Sequence, residues 1–426
     1  MTPLLVGVAA LVIVLVMIAA RIPIAVCLTL VSFAGIYLII GWRPAMSMIS
    51  SVPYSFAASW TLSSVPMFLM MGYLAFHSGM TRGLFDAARV ALGRMPGGLA
   101  VASLVGSGGF AAVTGSSVAC AASVGRIAIP EMLREGYNVR TAAGAVAAGG
   151  TVGALIPPSI VLIIYGVQAE VSINALFLGG LVVGSITVLL YVLAVQIIAW
   201  RRPEDLPRGR AVAVGRRRDV LLQNWPLILL IGIVFGGLFS GVFTATEAGA
   251  VGVFLTFLIG VVRGKMTRAH FLESCSDTLL ACGSLFAIAV GANMFTRLLA
   301  LSGLSNATGD MIGALGIGVF GLLVIMCAVY LLLGMFLDPV GAMLLTLPLF
   351  LPLIESHGID KIWFGLLLAK LLEMGMITPP VGLNVFVIHS VAKDRISLEQ
   401  VFRGVVPFLA MDALLVVGLI AYQQLV

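Results

Sequence analysis

Residues 150–159 read Gly-Thr-Val-Gly-Ala-Leu-Ile-Pro-Pro-Ser, and residues 375–384 read Gly-Met-Ile-Thr-Pro-Pro-Val-Gly-Leu-Asn. Each decamer interrupts an apolar run long enough to cross a bilayer, 141–168 in the first case and 361–390 in the second. Proline lacks a backbone N–H and clashes with the preceding turn, so a Pro-Pro pair ends a helix where it stands. An interruption at mid-membrane leaves N–H groups at one end and C=O groups at the other without partners. In lipid such backbone survives only where it is buried in protein or lines a cavity. The N–H ends attract anions and the C=O ends can coordinate Na⁺.

The rest of the chain says that lipid is the solvent. Hydrophobic residues make up 61% of the 426 residues and charged residues 10%, with a mean hydropathy of +1.15. A soluble domain carries about 25% charged residues, so this chain is read as an all-α integral membrane protein. Its 49 glycines fit close helix packing with built-in interruptions. The five cysteines, Cys27, Cys120, Cys275, Cys282 and Cys327, show no metal-ligand spacing. The first apolar run starts at Pro3 with no basic residue before it and Arg21 behind it, the reverse of a cleavable signal. That order predicts an N-terminus outside and Arg21 inside.

Apolar runs predict ten crossings, at 3–20, 23–41, 63–79, 141–168, 172–200, 222–241, 245–263, 282–301, 361–390 and 400–424. Residues 45–61 and 267–281 are less apolar and are placed along the interface. Residues 82–94 bring Arg82, Asp86 and Arg89 to one face at helical spacing, as in a surface-lying amphipathic helix. Residues 304–314 read as a polar helix of small residues. Two stretches read as re-entrant hairpins. The first, 96–130, contains Thr114-Gly115-Ser116-Ser117 and ends on Arg94 and Arg126, which a hairpin holds on one side. The second, 317–352, has Asp338-Pro339 at its middle.

A constant offset of 222 maps Pro130 onto Pro352, Gly136 onto Gly358, Gly153 onto Gly375, Pro157-Pro158 onto Pro379-Pro380, and Ser116-Ser117 onto Asp338-Pro339. These are the residues that interrupt helices. The predicted organisation is a first repeat at 1–200, a basic cytoplasmic loop at 201–221 and a second repeat at 222–426. In the first repeat, scaffold helices fill 1–95 and the hairpin and broken helix 96–170. In the second, scaffold and arm fill 222–316 and the hairpin and broken helix 317–392. Five crossings per repeat, an odd number, turn the second copy upside down. Placed this way, 20 of the 24 basic residues lie inside, Arg43, Arg297 and Lys361 lie outside, and Lys370 stays within the membrane. The seven arginines between Arg201 and Arg218 fit this cytoplasmic loop. They carry no interleaved aromatics for nucleic-acid stacking, so no nucleic-acid partner is expected.

Two hairpin tips and two broken helices imply one central polar site. The first tip offers the hydroxyl and carbonyl oxygens of Thr114 to Ser117, and the second the carboxylate of Asp338. Hard oxygen ligands suit Na⁺. The breaks contribute Gly150, Thr151 and Gly153 on one side and Gly375 and Thr378 on the other. Asn384, just beyond the second break, can donate to a substrate carboxylate. The small residues also have a plain packing role in membrane helices. Of the other intramembrane ionisable groups, Lys370 and Glu373 at i and i+3 are expected to pair, Glu247 fits a helix start, and Asp412 reads as a buried polar contact. No arginine falls at either predicted tip. Enzymatic motifs are absent from the sequence: no HExxH, P-loop or strand-borne GxGxxG. The histidines, His77, His270, His357 and His389, are scattered, and none is placed to activate Ser116 or Ser117.

Gly115-Ser116-Ser117-Val118-Ala119, Gly153 to Ser159, Thr246-Glu247-Ala248, Leu337-Asp338-Pro339 and Thr378 to Asn384 together resemble, in order and along the whole chain, the large membrane subunit of TRAP (tripartite ATP-independent periplasmic) transporters. The resemblance implies an elevator-type carrier in the bacterial inner membrane, with both termini periplasmic. It implies import of a carboxylate-containing organic acid with Na⁺ as the coupling ion, two or more per cycle, and no other cofactor. It also implies a periplasmic substrate-binding protein and a separate small four-helix membrane subunit as partners. One Na⁺ would sit between Thr114, Gly115, Ser116 and Ser117 and the break at Gly150, Thr151 and Gly153. A second would sit between Asp338 and the break at Gly375 to Thr378. The substrate would lie between the tips, near Ser116, Ser117, Pro157, Pro158, Pro379, Pro380 and Asn384. Residues 82–94 and 304–314 would be arms between moving and fixed parts. A self-sufficient Na⁺- or H⁺-coupled carboxylate carrier of the same architecture is the alternative, and a channel a third class. The substrate's identity is left open.

Overall fold

A computed structural model describes residues 2–80, 82–207, 214–392 and 396–425. Among the described residues every regular element is helical. The first half runs α1 (Pro3–Ala19), α2 (Ile24–Ile40), α3 (Trp42–Ala57), α4 (Ser64–His77), α5 (Arg82–Leu92), α6 (Gly98–Thr114), α7 (Ser117–Arg134), α8 (Val139–Thr151), α9 (Ile160–Gln168) and α10 (Ile173–Arg201). The second runs α11 (Val214–Phe239), α12 (Ala245–Val262), α13 (Arg268–Ser302), α14 (Leu304–Ala314), α15 (Val319–Phe336), α16 (Pro339–Ser356), α17 (Lys361–Gly375), α18 (Leu383–Ala392) and α19 (Leu398–Leu425). Among the described residues six helices are long and apolar enough to span a membrane, and α1, α2 and α6 are shorter apolar helices of 17 residues. Large apolar side chains face outward: Leu189 is 67% exposed and Leu279 72%. Lipid accommodates such a surface and water does not.

Two predicted boundaries change. Residues 267–281 do not form a separate interfacial stretch but the first turns of the unbroken 35-residue α13. No Gly or Pro occurs from Arg268 to Cys282 to stop it, and Thr267 caps it by accepting from the His270 N–H at 3.2 Å. At about 1.5 Å per residue, α13 is roughly 50 Å long and outreaches a hydrocarbon core of about 30 Å. In the first half the corresponding stretch is broken between α3 and α4, where Pro66 stands in the first turn of α4 and favours a helix start. The second change is at 201–221: α11 begins at Val214, so Arg216 to Arg218 fall in a helix rather than a loop. Apolar windows miss a helix whose first turns are polar. Arg208 and Arg210, like Lys393 and Arg395, lie outside the described residues.

Side-chain contacts fix how the pieces enter. Next to the start of α8, Asn138 donates to Asp205 Oδ1 at 2.7 Å. At the α9 end, the Tyr165 hydroxyl donates to the Lys361 carbonyl at 2.6 Å, where α17 begins. Gly404 near the start of α19 packs on the backbone of Arg140 and Gly144, so the chain leaving α18 returns to the α8 start. The two interrupted helices, α8–α9 and α17–α18, therefore run in opposite directions. The hairpin α6–α7 has both feet at the α8 start, with the Leu99 N–H donating to the Tyr137 hydroxyl at 3.1 Å and Arg89 pairing with Glu131 at 2.7 Å. The α16 foot of the second hairpin lies at the opposite end, where Glu355 pairs with Lys361 at 2.5 Å.

Candidate functional site

Gly115 ends α6 in a left-handed conformation, φ +59°, where a side chain would be strained. The chain then turns, and Ser116 caps α7 by accepting from the Ala119 N–H at 3.4 Å. The opposing tip turns at Leu337, and Asp338 caps α16 through the Gly341 N–H at 2.9 Å. Both tips meet in one cavity of about 410 Å³. Thr114, Gly115, Ser116 and Ser117 line it from the first tip, and Asp338 and Pro339 from the second. Its far wall is Leu69, Gly72, Tyr73 and Phe76 of α4 with Ala281, Ser284 and Leu285 of α13. The cavity thus lies on a seam between the hairpins and the α4–α13 pair.

Each break backs onto a tip. A Cβ at Gly153 would stand 2.8 Å from Ser117 Cα and 2.9 Å from the Ser116 carbonyl oxygen. One at Gly115 would collide with the Pro158 carbonyl. On the other side a Cβ at Gly375 would stand 2.7 Å from Gly334 Cα, and the Gly382 N–H donates to the Met335 carbonyl at 3.2 Å. The first interruption starts earlier than its prolines suggest, at Thr151, where the helix tightens into a 3₁₀ turn at Val152–Ala154. Pro157-Pro158 and Pro379-Pro380 are both cis peptides.

Not every expected residue reaches the cavity. Gly150, Thr151, Gly153, Pro157, Pro158, Gly375, Thr378, Pro379, Pro380 and Asn384 are not among the residues that line it; the first five and Gly375 and Asn384 are buried, while Pro379 and Pro380 are exposed. The Thr151 hydroxyl donates to the Ala148 carbonyl at 2.7 Å and meets the Tyr191 hydroxyl at 3.0 Å. Thr378 donates to the Met374 carbonyl at 2.7 Å. Asn384 is fully buried and neither of its amide atoms has a partner among the described residues. Its Nδ2 lies 3.1 Å from where a Gly150 Cβ would be. Asn384 thus joins the second broken helix to the first break, not to the cavity.

The expected Lys370–Glu373 pair does not form. Both are fully buried, but the Lys370 ammonium meets Asp412 Oδ1 of α19 at 2.5 Å, with the Tyr191 hydroxyl donating to Asp412 Oδ2 at 2.8 Å. Glu373 turns to the cavity wall and accepts the Ser117 hydroxyl at 2.6 Å, while its other oxygen has no partner among the described residues. Three residues apart on a helix leaves two side chains free to choose partners on different neighbours. Glu247 takes no part: it closes a capping box with Thr244 at the start of α12, as a helix-start carboxylate should. The sequence reading also missed Arg126, which lines the cavity from α7. A signal for it exists, because Ala119, Ala122, Ser123 and Arg126, all cavity-lining, recur at helical spacing on one face.

A helical protein with a lipid-compatible apolar surface, two opposed helical hairpins and two chain breaks beside one cavity belongs to the class of membrane transporters. Similarity to known proteins gives the particular family. Residues 11–425 match the model for the tripartite ATP-independent periplasmic transporter, DctM component. The C4-dicarboxylate TRAP transporter large permease protein DctM of Pseudomonas aeruginosa is 34% identical over 358 residues, 82% of this chain and 81% of that protein. DctM of Vibrio cholerae is 31% identical over 420 residues, covering 93% and 91%. The sialic acid TRAP transporter large permease protein SiaM of Vibrio cholerae is 30% identical over 367 residues, covering 85% and 84%. The chain therefore belongs to the DctM family of TRAP transporter large permeases. Among solved structures, the Alcanivorax borkumensis YdaH transporter superposes with a TM-score of 0.63 at 14% identity, covering 90% of each chain. Neisseria gonorrhoeae MtrF superposes with a TM-score of 0.60 at 11% identity, covering 99% and 94%. These two share the fold.

Proposed function

We propose that this permease imports a carboxylate-bearing organic acid across the bacterial inner membrane, driven by Na⁺, after a periplasmic binding protein delivers it. A separate small membrane subunit completes the complex. The observation that carries the reading is the meeting of both hairpin tips, each backed by a chain break, at one cavity on the seam with α4 and α13. The antiparallel course of the two broken helices supports two inverted repeats. The seam supports an elevator motion in which hairpins and broken helices slide past the fixed pair, with α5 and α14 as connecting arms. Relatives named for C4-dicarboxylates and sialic acid support a carboxylate substrate.

Na⁺ enters as a second substrate. The first tip and the break beside it present backbone carbonyls from helix ends and the Asn384 amide, whose oxygen lacks a partner. That is a hard-oxygen set suited to a monovalent cation. Asp338, with Gly375 and Thr378 behind it, offers a second such set. Substrate held between the tips near Ser116 and Ser117 would then find its pocket shaped only when the ions hold the tips in place. This accounts for coupling by local order.

The test is reconstitution in proteoliposomes with the small subunit and the cognate binding protein. Uptake should saturate, need both partners and rise with an inward Na⁺ gradient. Asp338→Ala should raise the Na⁺ concentration at half-maximal uptake. Uptake by this chain alone would reject the binding-protein-dependent reading in favour of a self-sufficient carrier, and non-saturating flux would favour a channel.

A further inference from the structure

The central cavity holds two acids, Asp338 and Glu373, and its substrate, on the reading above, is an anion. Neither acid brings the positive charge that would attract an anion. Among the described residues a single Lys or Arg lines that cavity, Arg126. Its side chain is exposed, and no salt bridge among the described residues claims it, unlike Arg89, which is held by Glu131 at 2.7 Å. The guanidinium fork is therefore open to a ligand, and an open fork matches a carboxylate with two parallel hydrogen bonds.

Its place in the fold points to the same role. A second cavity, of about 440 Å³, shares Phe76, Phe110, Ser123 and Arg126 with the first. Arg126 thus stands at the neck between the two. The second cavity carries Lys265, His270 and His77 and, among the described residues, no acid on its lining. His77 is held by Glu273 at 3.3 Å and Asp277 at 2.8 Å, which leaves Lys265 and Arg126 as the cations without a salt bridge there. The neck lies toward the hairpin feet, on the side predicted to be cytoplasmic. An anion leaving the tips would pass from an acid-bearing chamber, over Arg126, into a basic one.

We propose that Arg126 is a carboxylate-binding and specificity-determining residue of the transport path, and that it holds the substrate anion at the neck between the central cavity and the basic vestibule. The inference rests on the carboxylate reading but not on Na⁺ coupling or on the partners. Small neighbours on the same face, Ala119, Ala122 and Ser123, leave room for the bound group. Arg126→Lys keeps the charge and loses the fork, so it should retain part of the function. Arg126→Gln loses both.

The experiment is thermal unfolding of the purified chain in nanodiscs against a panel of probes: succinate, sialic acid and the corresponding amides. At least one carboxylate should raise the midpoint for the wild type while its amide does not. Arg126→Gln should abolish that shift, Arg126→Lys should retain part of it, and Arg89→Gln, which breaks the nearby Arg89–Glu131 pair, should leave it intact. In the reconstituted complex, Arg126→Gln should raise KM about ten- to a hundredfold with the Na⁺ dependence unchanged. A wild type that no carboxylate stabilises would overturn the proposal, as would Arg126→Gln retaining the full shift. An Arg126 effect on carboxylates combined with Na⁺-independent uptake would sink the coupling scheme and leave the anion site standing.

Discussion

Removing either member of the Lys370–Asp412 pair should destabilise the protein far more than removing both. The two groups are 2.5 Å apart and essentially inaccessible. Coulomb's law at that separation, with an effective dielectric of about 20, gives an attraction of about 7 kcal/mol. Desolvating both charges offsets most of it, so the intact pair is close to neutral for stability. Lys370→Met leaves Asp412 buried with only the Tyr191 hydroxyl, and Asp412→Leu leaves an ammonium with only the Tyr191 ring, 5.3 Å from its nitrogen to the ring centroid. Each single change should cost roughly 3–5 kcal/mol. The double variant Lys370→Met/Asp412→Leu has no unpaired charge, and Tyr191 keeps its contact with Thr151 at 3.0 Å. It should recover most of the loss, giving a coupling energy of about 3 kcal/mol or more. Unfolding titrations in mixed micelles, run on all four proteins, measure this. Additive losses, with the double variant as unstable as the sum of the singles, would refute the claim that these charges exist for each other.

Close backbone approach at the tips makes further predictions. Gly115→Ala would drive a Cβ into the Pro158 carbonyl at φ +59°, and Gly153→Ala would push on Ser117 Cα. Both should abolish uptake while membrane insertion persists, whereas Gly283→Ala, with nothing within 4 Å, should transport normally. Ser117→Ala would leave both oxygens of the buried Glu373 without a hydrogen-bond donor, and should lower the thermal midpoint more than Ser116→Ala, whose cap bond is long at 3.4 Å. Asp338→Asn should preserve the α16 cap and so match wild-type stability while still weakening Na⁺ dependence; loss of stability instead would make Asp338 a capping residue only. A cysteine at the exposed Glu204 should react with impermeant reagents from the cytoplasmic side alone, because this segment is bound to Asn138 at the α8 start.

The sequence alone determined the class. Low charge, long apolar runs and the two Pro-Pro interruptions state a helical membrane protein with broken spans, since both lipid burial and proline's missing donor act locally and leave marks at fixed positions. It also located the two tips, because Gly115 and Asp338 are forced by turn and cap geometry within a few residues. What the chain could not state were choices among distant partners. Lys370 had Glu373 one turn away and chose Asp412, 42 positions on. Asn384 faces Gly150 rather than the cavity between the tips, and Arg126 comes to the cavity only when α7 folds back on α6 and packs against α8 and α18. Partner choice at those places depends on which helix faces are pressed together, and that is a property of the packed tertiary structure.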